Sequence, residues 1–205
     1  MANVETEVKF YLDDIRLMHQ RITEMGAASR GRFFERNLRF EDRQRSLKTK
    51  KSLLRLRQDK SITLTFKSPL VESGQEFKKM AELEVEVSDF DVMKGILQAL
   101  GFHCEQTYEK WRETLVLKDT QFCLDAMPFG NFLEIEGQAE DIKKYASELG
   151  LQWRKRILLN YLEIFEIIKK KKKLGFKNLT FDNFKNIKVD ISDYLKNIEV
   201  KSVSR

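Results

Sequence analysis

Glu5-Thr6-Glu7-Val8-Lys9 sets three charged side chains at every second position. Alternation over five residues predicts a β-strand, in which residues two apart share a face. Glu5, Glu7 and Lys9 then point one way, and Val4, Thr6, Val8 and Phe10 the other. One such strand alone would be an edge strand with a solvated face. Here the charged face recurs. Glu82-Leu83-Glu84-Val85-Glu86 and Glu134-Ile135-Glu136 repeat the acidic pattern. Leu53-Leu54-Arg55-Leu56-Arg57 and the stretch from Ile62 to Lys67 carry cations, as do Lys110 and Arg112. Asp125 ends a further short strand.

Each of these strands tends to carry one sign. Carboxylate strands suit a hard divalent cation such as Mg²⁺ or Mn²⁺, which prefers oxygen ligands. Arg and Lys strands suit phosphate, Arg through its bidentate fork. Both signs in one lumen match a metal–polyphosphate ligand, whereas either set buried alone would carry a large desolvation cost. Other devices are missing. No Gly-rich phosphate loop occurs, and the chain has only 9 glycines, mostly at turns and helix ends. Side chains must therefore hold the phosphates. The 2 histidines, His19 and His103, stand in no motif. Cys104 and Cys123 lack metal-ligand spacing and read as buried apolar residues.

Around the charged strands lie the elements that must position them. Asp13 or Asp14 can cap a helix with the stripe Ile15, Met18, Ile22 and Met25, stopped by Gly26. Ser88 can cap a second, with Phe90, Met93, Ile96, Leu97 and Leu100 apolar and Gly101 at its end. A third runs through Ile142, Tyr145 and Leu149 to Gly150. Three E-x-E strands, each followed by a helix that ends in a hydrophobic residue and Gly, form a weak internal repeat. The apolar face of the sheet must pack on these helices. Its charged face is left for a polar lumen or for water. Phe33-Phe34 and Leu38–Phe40 read as strand, residues 41–52 as an exposed loop, and Glu72–Gln75 as a turn. The cations Arg43, Arg45, Lys48, Lys50 and Lys51 of that loop could steer an anionic substrate; solvation is the simpler reading. Ile157–Ile168 reads as a last, strongly apolar helix; Tyr161 could hydrogen-bond near the tunnel mouth, but a place at the edge of the core is the simpler reading.

At 205 residues, with 41% hydrophobic and 34% charged residues, the chain suits one globular α+β domain with room for a short extension. No apolar run approaches about 18 residues, so no transmembrane helix is expected. The N-terminus lacks a basic-then-apolar leader, and the expected location is cytoplasmic. The net charge of +6 is not spread over the fold. Residues 169–205 hold 11 basic and 4 acidic residues, leaving 27 basic against 28 acidic in residues 1–168. The body is not a basic platform, so no nucleic-acid partner is expected. Two parts follow: a tunnel domain over 1–168, and a Lys/Asn-rich extension over 169–205 that reads as loosely packed and solvated. Catalysis is expected to survive removal of 174–205.

Taken in order, the motifs resemble the CYTH, or triphosphate tunnel metalloenzyme, superfamily. It includes class IV (CyaB-type) adenylyl cyclases, thiamine triphosphatases and inorganic triphosphatases. The resemblance rests on Glu5-x-Glu7-x-Lys9, Leu-Arg55-Leu-Arg57, Thr65-Phe-Lys67, Glu82-Leu-Glu84, Tyr108-Glu-Lys110-Trp-Arg112, Leu124-Asp125 and the stretch Pro128–Gly137. It implies a closed eight-stranded antiparallel β-tunnel with a charged lumen and helices outside. It implies triphosphate on Lys9, Arg55, Arg57, Lys67, Lys110 and Arg112, with Lys9 and Lys67 as catalytic cations. It implies Mg²⁺ or Mn²⁺ on Glu5, Glu7, Glu82, Glu84, Asp125, Glu134 and Glu136. Met80-Ala81 and Ala126 depart from the usual pattern, where relatives often place an Arg and further acids. Hydrolysis of a small triphosphate is the leading reaction. Cyclisation of ATP by the same site is the rival, and a non-catalytic polyphosphate or nucleotide sensor the third reading. Only Met1-Ala2-Asn3-Val4 stands before Glu5, without the His-Phe pair that class IV cyclases share, which favours hydrolysis. The oligomeric state is left open, a homodimer included.

Overall fold

In the computed structural model, which describes residues 3–70 and 76–200, eight strands close into a single antiparallel barrel. They are β1 (Asn3–Leu12), β2 (Ala28–Glu41), β3 (Leu53–Gln58), β4 (Ile62–Pro69), β5 (Lys78–Glu86), β6 (His103–Leu117), β7 (Thr120–Met127) and β8 (Gly130–Glu136). Around the barrel their order is β1-β5-β4-β3-β2-β6-β7-β8. The turn expected at Glu72–Gln75 lies outside the described residues. The α+β class and the closed eight-stranded tunnel are as the sequence led one to expect. Alternation is the cause. Val8, Phe10, Leu56, Leu115, Phe122, Leu133 and Ile135 are buried on the outer face, while Glu7, Lys9, Lys110 and Glu134 are buried within. Closure turns the charged face inward, around a shared lumen.

Helices α1 (Ile15–Glu24), α3 (Phe90–Ala99) and α4 (Ala139–Glu148) cover parts of the outside; a short turn of helix, α2 (Ser46–Thr49), lies between β2 and β3. Asp14 caps α1, its carboxylate accepting from the Arg16 N–H at 2.8 Å and the Leu17 N–H at 3.1 Å. The cap of α3 is Asp89 rather than Ser88, since its longer carboxylate accepts from the Val92 N–H at 2.9 Å. The internal repeat has a backbone basis: Gly26, Gly101 and Gly150 follow the three helices with φ of 92°, 90° and 74°. A left-handed residue there ends a helix and is nearly free of strain only for Gly.

Met18, Ile22, Ile142, Tyr145 and Leu149 of α1 and α4 join the outer faces of β1, β7 and β8 in one core. Phe90 and Leu97 of α3 cover Leu38, Phe40, Leu54 and Leu56 of β2 and β3. Because α3 sits there, the outer face of β5 has little cover: Leu83 and Val85 are 55% and 56% exposed. Ile96 and Leu100 of the expected apolar stripe are exposed too.

Residues 41–52 are not simply an exposed loop. Buried Glu41 anchors α2, its two carboxylate oxygens accepting from the N–H groups of Leu47 (3.0 Å) and Lys48 (2.9 Å). Leu47 is the single buried apolar residue of that helix, too little to show as periodicity.

The chain end also differs from expectation. Residues 157–160 are not helical, and Ile157 exchanges two backbone hydrogen bonds with Lys9, at 2.7 and 3.1 Å. The helix α5 (Tyr161–Lys172) starts only after Asn160, whose side chain caps it in a reciprocal box with Glu163. Beyond α5 the extension is packed, not loose. β6 runs past the end of β7, and Leu179 takes up the free edge: its N–H donates to the Thr107 carbonyl, and the Glu109 N–H donates to its own, each at 2.9 Å. Leu179, Phe184, Ile191, Tyr194 and Ile198 are buried with Phe165 and Ile168 of α5 and Phe129 and Phe132 of the barrel. No described helix is long and apolar enough to cross a membrane.

Candidate active site

The barrel encloses a cavity of about 1810 Å³. Strand parity carries the charged residues into it: Glu5, Glu7 and Lys9 from β1, Arg55 and Arg57 from β3, Lys67 from β4, and Glu82 and Glu84 from β5. Lys110 and Arg112 from β6 and Glu134 and Glu136 from β8 complete the lining. Asp125 of β7 is fully buried behind Lys110 and Arg112. Glu86 shares the face of Glu82 and Glu84 but is exposed at the strand end and does not line the cavity.

Inside, the two signs interlock. Lys9 Nζ lies 2.6 Å from Glu134, and Lys110 Nζ 3.1 Å from Asp125. Arg112 holds Asp125 with two bonds of 2.6 and 2.5 Å and also contacts Glu134. Lys67 bonds Glu5 and lies 3.2 Å from Glu82. Arg55 and Arg57 stand 3.8 and 3.6 Å from Glu84. Glu82, Glu84, Asp125 and Glu134 are thus each engaged by a cation of the chain.

Three carboxylates form a tighter group. Oxygens of Glu5, Glu7 and Glu136 all lie within 4.8 Å of one another. Their protonation shows the crowding. Burial lifts the Glu5 carboxyl above its ordinary range, with Glu7 adding to the rise. Burial, with Glu134, Glu7 and Glu5 nearby, lifts Glu136 to about 7 against the pull of Arg112. Burial presses Glu7 upward as well, but Lys78 at 2.5 Å, together with Lys9 and Lys67, outweighs it and leaves the group below its usual value. Three hard oxygen donors within 4.8 Å of one another, two of them with a pKa raised by burial first and by neighbouring carboxylates second, fit a divalent cation. Lys67 and Lys78 are the counter-charges on two of these acids in the structure.

Some lumen residues escaped the sequence reading. Lys78 stands four positions before Glu82 on β5, with the same parity, so a longer strand would have included it. Glu35 of β2 is buried beside Lys110 at 3.4 Å and Arg112 at 3.8 Å. Burial opposes its ionisation, yet Lys110, Arg112, Arg57 and Arg55 together take its pKa down to about 2. The aromatic and basic run around Glu35 hid its parity. Tyr161, read as a core-edge residue, reaches the site: its hydroxyl donates to Asp125 at 2.6 Å, and its ring lies 4.4 Å from Lys9 Nζ and 5.4 Å from Lys110 Nζ.

The family model for the CYTH domain matches residues 3–172. A Methanocaldococcus jannaschii protein named "putative adenylate cyclase" is 27% identical over 143 residues, spanning 69% of this chain and 81% of that protein. A solved structure from Pyrococcus horikoshii OT3 is 27% identical with a TM-score of 0.66, covering 78% of this chain and 98% of its own. A Hippeastrum protein superposes with a TM-score of 0.61 at 18% identity, over 82% of this chain and 96% of its own. It is described as a "putative adenylyl cyclase" with "a dominant" triphosphatase activity, and its likeness concerns the fold alone.

Proposed function

Because the chain belongs to the CYTH domain family, we propose that it is a divalent-metal-dependent enzyme that hydrolyses a phosphoanhydride of a small triphosphate inside its tunnel. One observation supports this most: the carboxylate group of Glu5, Glu7 and Glu136 shares a lumen with six cations on β1, β3, β4 and β6. Glu5, Glu7 and Glu136 would hold Mg²⁺ or Mn²⁺, and a cation bound there would polarise phosphoryl oxygens and acidify bound water. Glu82, Glu84, Asp125 and Glu134 serve this reading as the acids that hold the phosphate-binding cations in place. Arg55, Arg57, Lys110 and Arg112 bind phosphate oxygens. Lys9, two residues after Glu7 on β1, and Lys67, bonded to Glu5, stabilise charge on the phosphoryl group in flight. Water forms the new P–O bond, the P–O–P bridge breaks, and pyrophosphate leaves from tripolyphosphate. Aligned groups in a closed lumen lower the barrier by holding the reactants in place.

Cyclisation of ATP is the second reading, favoured by the name of the Methanocaldococcus relative. It needs the same cations and acids, and in addition a ribose 3′-hydroxyl held in line with the α-phosphate. Hydrolysis stands first because the assembled side chains meet its full requirement. A third reading, a sensor that binds without turnover, shares the site. Pure protein incubated with tripolyphosphate, ATP and thiamine triphosphate, with Mg²⁺ or Mn²⁺, tests all three. Metal-dependent release of phosphate is expected. Cyclic AMP as the dominant product establishes the cyclase, and binding without turnover the sensor.

A further inference from the structure

The run Arg32-Phe33-Phe34-Glu35-Arg36 lies within β2. Parity turns Phe33 and Glu35 to the lumen side, across from Arg112 and Lys110 of β6. Arg32, Phe34 and Arg36 therefore point away from the lumen. On the same outer face β6 presents Glu113, Trp111 and Glu109 directly across from them. Helices α1 and α4 pack over β1, β7 and β8, and α3 packs over the far half of β2 and over β3. The middle of this ladder is left open: Phe34 and Trp111 are 38% and 39% exposed. Their rings meet edge to face, with centroids 5.3 Å apart, and Phe181 of the extension flanks Phe34 at 6.2 Å. On the β7 side Trp111 lies across from Ala126, too small to cover an indole.

The arginines of the ladder are equally unspent. Each stands across from a glutamate, a placement that usually gives an ion pair. Both glutamates are engaged elsewhere. Glu113 accepts from the Ser29 hydroxyl at 2.7 Å and lies 3.2 Å from a ring nitrogen of His19. Glu109 accepts from the Phe181 N–H at 3.0 Å. Among the described residues Arg32 and Arg36 form no ion pair. Arg32 sets its guanidinium 5.0 Å from the Trp111 ring centre, and Arg36 lies 6.0 Å from that of Phe90. The near-neutral charge of residues 1–168 excludes a basic surface over the whole body, not one row of unmatched arginines.

Open rings on adjacent strands suit unpaired bases, since every base has a π-face to stack. Exposed guanidinium groups beside them suit phosphates, which they bind through paired N–H donors. A proline-rich peptide needs a slot between rings, and edge-to-face contact leaves none between Phe34 and Trp111. We infer that the outer face of β2 and β6 binds single-stranded nucleic acid, with bases stacked on Phe34 and Trp111 and phosphates on Arg32 and Arg36. The surface lies across the sheet from the lumen and does not depend on the reaction proposed there.

The test titrates wild-type protein into a labelled oligouridylate of about 12 nucleotides, within the roughly 4–16 that single-strand platforms span, and follows fluorescence anisotropy without divalent metal. An oligothymidylate of equal length is the second arm, and binding of either supports the inference. Phe34→Leu and Trp111→Leu should each weaken binding about tenfold, the effect of losing one stacked base. Arg32→Gln/Arg36→Gln should reduce the slope of log Kd against log salt by about 1.4, at about 0.7 per phosphate contact. Circular dichroism and metal-dependent turnover of tripolyphosphate should be unchanged in all three variants. Absence of binding to either oligonucleotide overturns the inference. So does binding that all three variants retain in full, or that tripolyphosphate displaces equally from wild type and variants, since the strand then sits in the lumen. A proline-rich peptide that binds where neither oligonucleotide does, and is lost in the Phe34 and Trp111 variants, also overturns it.

Discussion

Tyr161 donates its hydroxyl hydrogen to Asp125 at 2.6 Å, joining the first residue of α5 to a fully buried carboxylate of β7. The same Asp125 accepts from Lys110 and Arg112, so one acid ties the helix to two phosphate-binding cations. Burial and Asp125 hold the Tyr161 hydroxyl well above its ordinary pKa, so it remains a donor. Tyr161→Phe removes that bond and keeps the ring over Lys9. Turnover should fall about ten- to a hundredfold, the scale of one hydrogen bond to a charged group. Steady-state kinetics on tripolyphosphate checks this, and an unchanged kcat would show that Tyr161 only packs.

The carboxylate group makes a larger claim. Glu5→Gln, Glu7→Gln and Glu136→Gln each keep shape but remove a charge from the proposed cation site. Turnover should drop by about a hundredfold or more, typical of losing a strong electrostatic catalyst. Mn²⁺ affinity, read directly by calorimetry, should weaken in parallel while circular dichroism stays native. Full activity at saturating metal in all three variants would remove the assignment.

Glu35 predicts a dependence of stability on acid. Its pKa falls from 4.5 unfolded to about 2 folded. A depressed carboxyl contributes its stability above the unfolded value and loses it as pH falls through the folded one. The window is therefore pH 4.5 down to about 2, and the contribution at neutral pH is about 3 kcal/mol. In urea titrations Glu35→Gln should be less stable at pH 7 by that order, and the gap to wild type should close across the window. A gap that stays constant with pH would mean that Glu35 acts through packing.

The lumen was legible because strand parity is a strict period of two. Once Glu5, Glu7 and Lys9 share a face, the backbone leaves them no other side, and Arg55, Arg57, Glu82, Glu84 and Glu136 obey the same rule. What could not be read was partnership. Nothing in the spacing sets Glu136 beside Glu5 and Glu7 while Asp125 goes to Arg112; that depends on register between strands distant in sequence. Tyr161 was weighed as a packing residue first because the expected helix began at Ile157, whereas α5 starts at Tyr161 and turns its hydroxyl to Asp125. Leu179 and the residues after it were missed because irregular backbone, pinned by a few bonds to β6, buries apolar side chains without any period.

That extension yields the prediction furthest from the sequence reading. The body was expected to work without residues 174–205. In the structure Leu179, Phe184, Ile191, Tyr194 and Ile198 are buried against α5 and the barrel, and Leu179 closes the free edge of β6. Each large apolar side chain contributes about 1.5–3 kcal/mol on burial, so five together rival the whole stability of a typical domain, about 5–15 kcal/mol. Removing 174–205 should also uncover Phe165 and Ile168 of α5, loosening Tyr161 from Asp125. The truncated protein should aggregate or unfold at a Tm many degrees lower. Phe184→Ala separates local packing from deletion: a loss of about 3–5 kcal/mol in urea titration is expected, with activity retained while the protein stays folded. Truncated protein that keeps wild-type Tm and turnover would mean that the extension rests on the barrel without holding it.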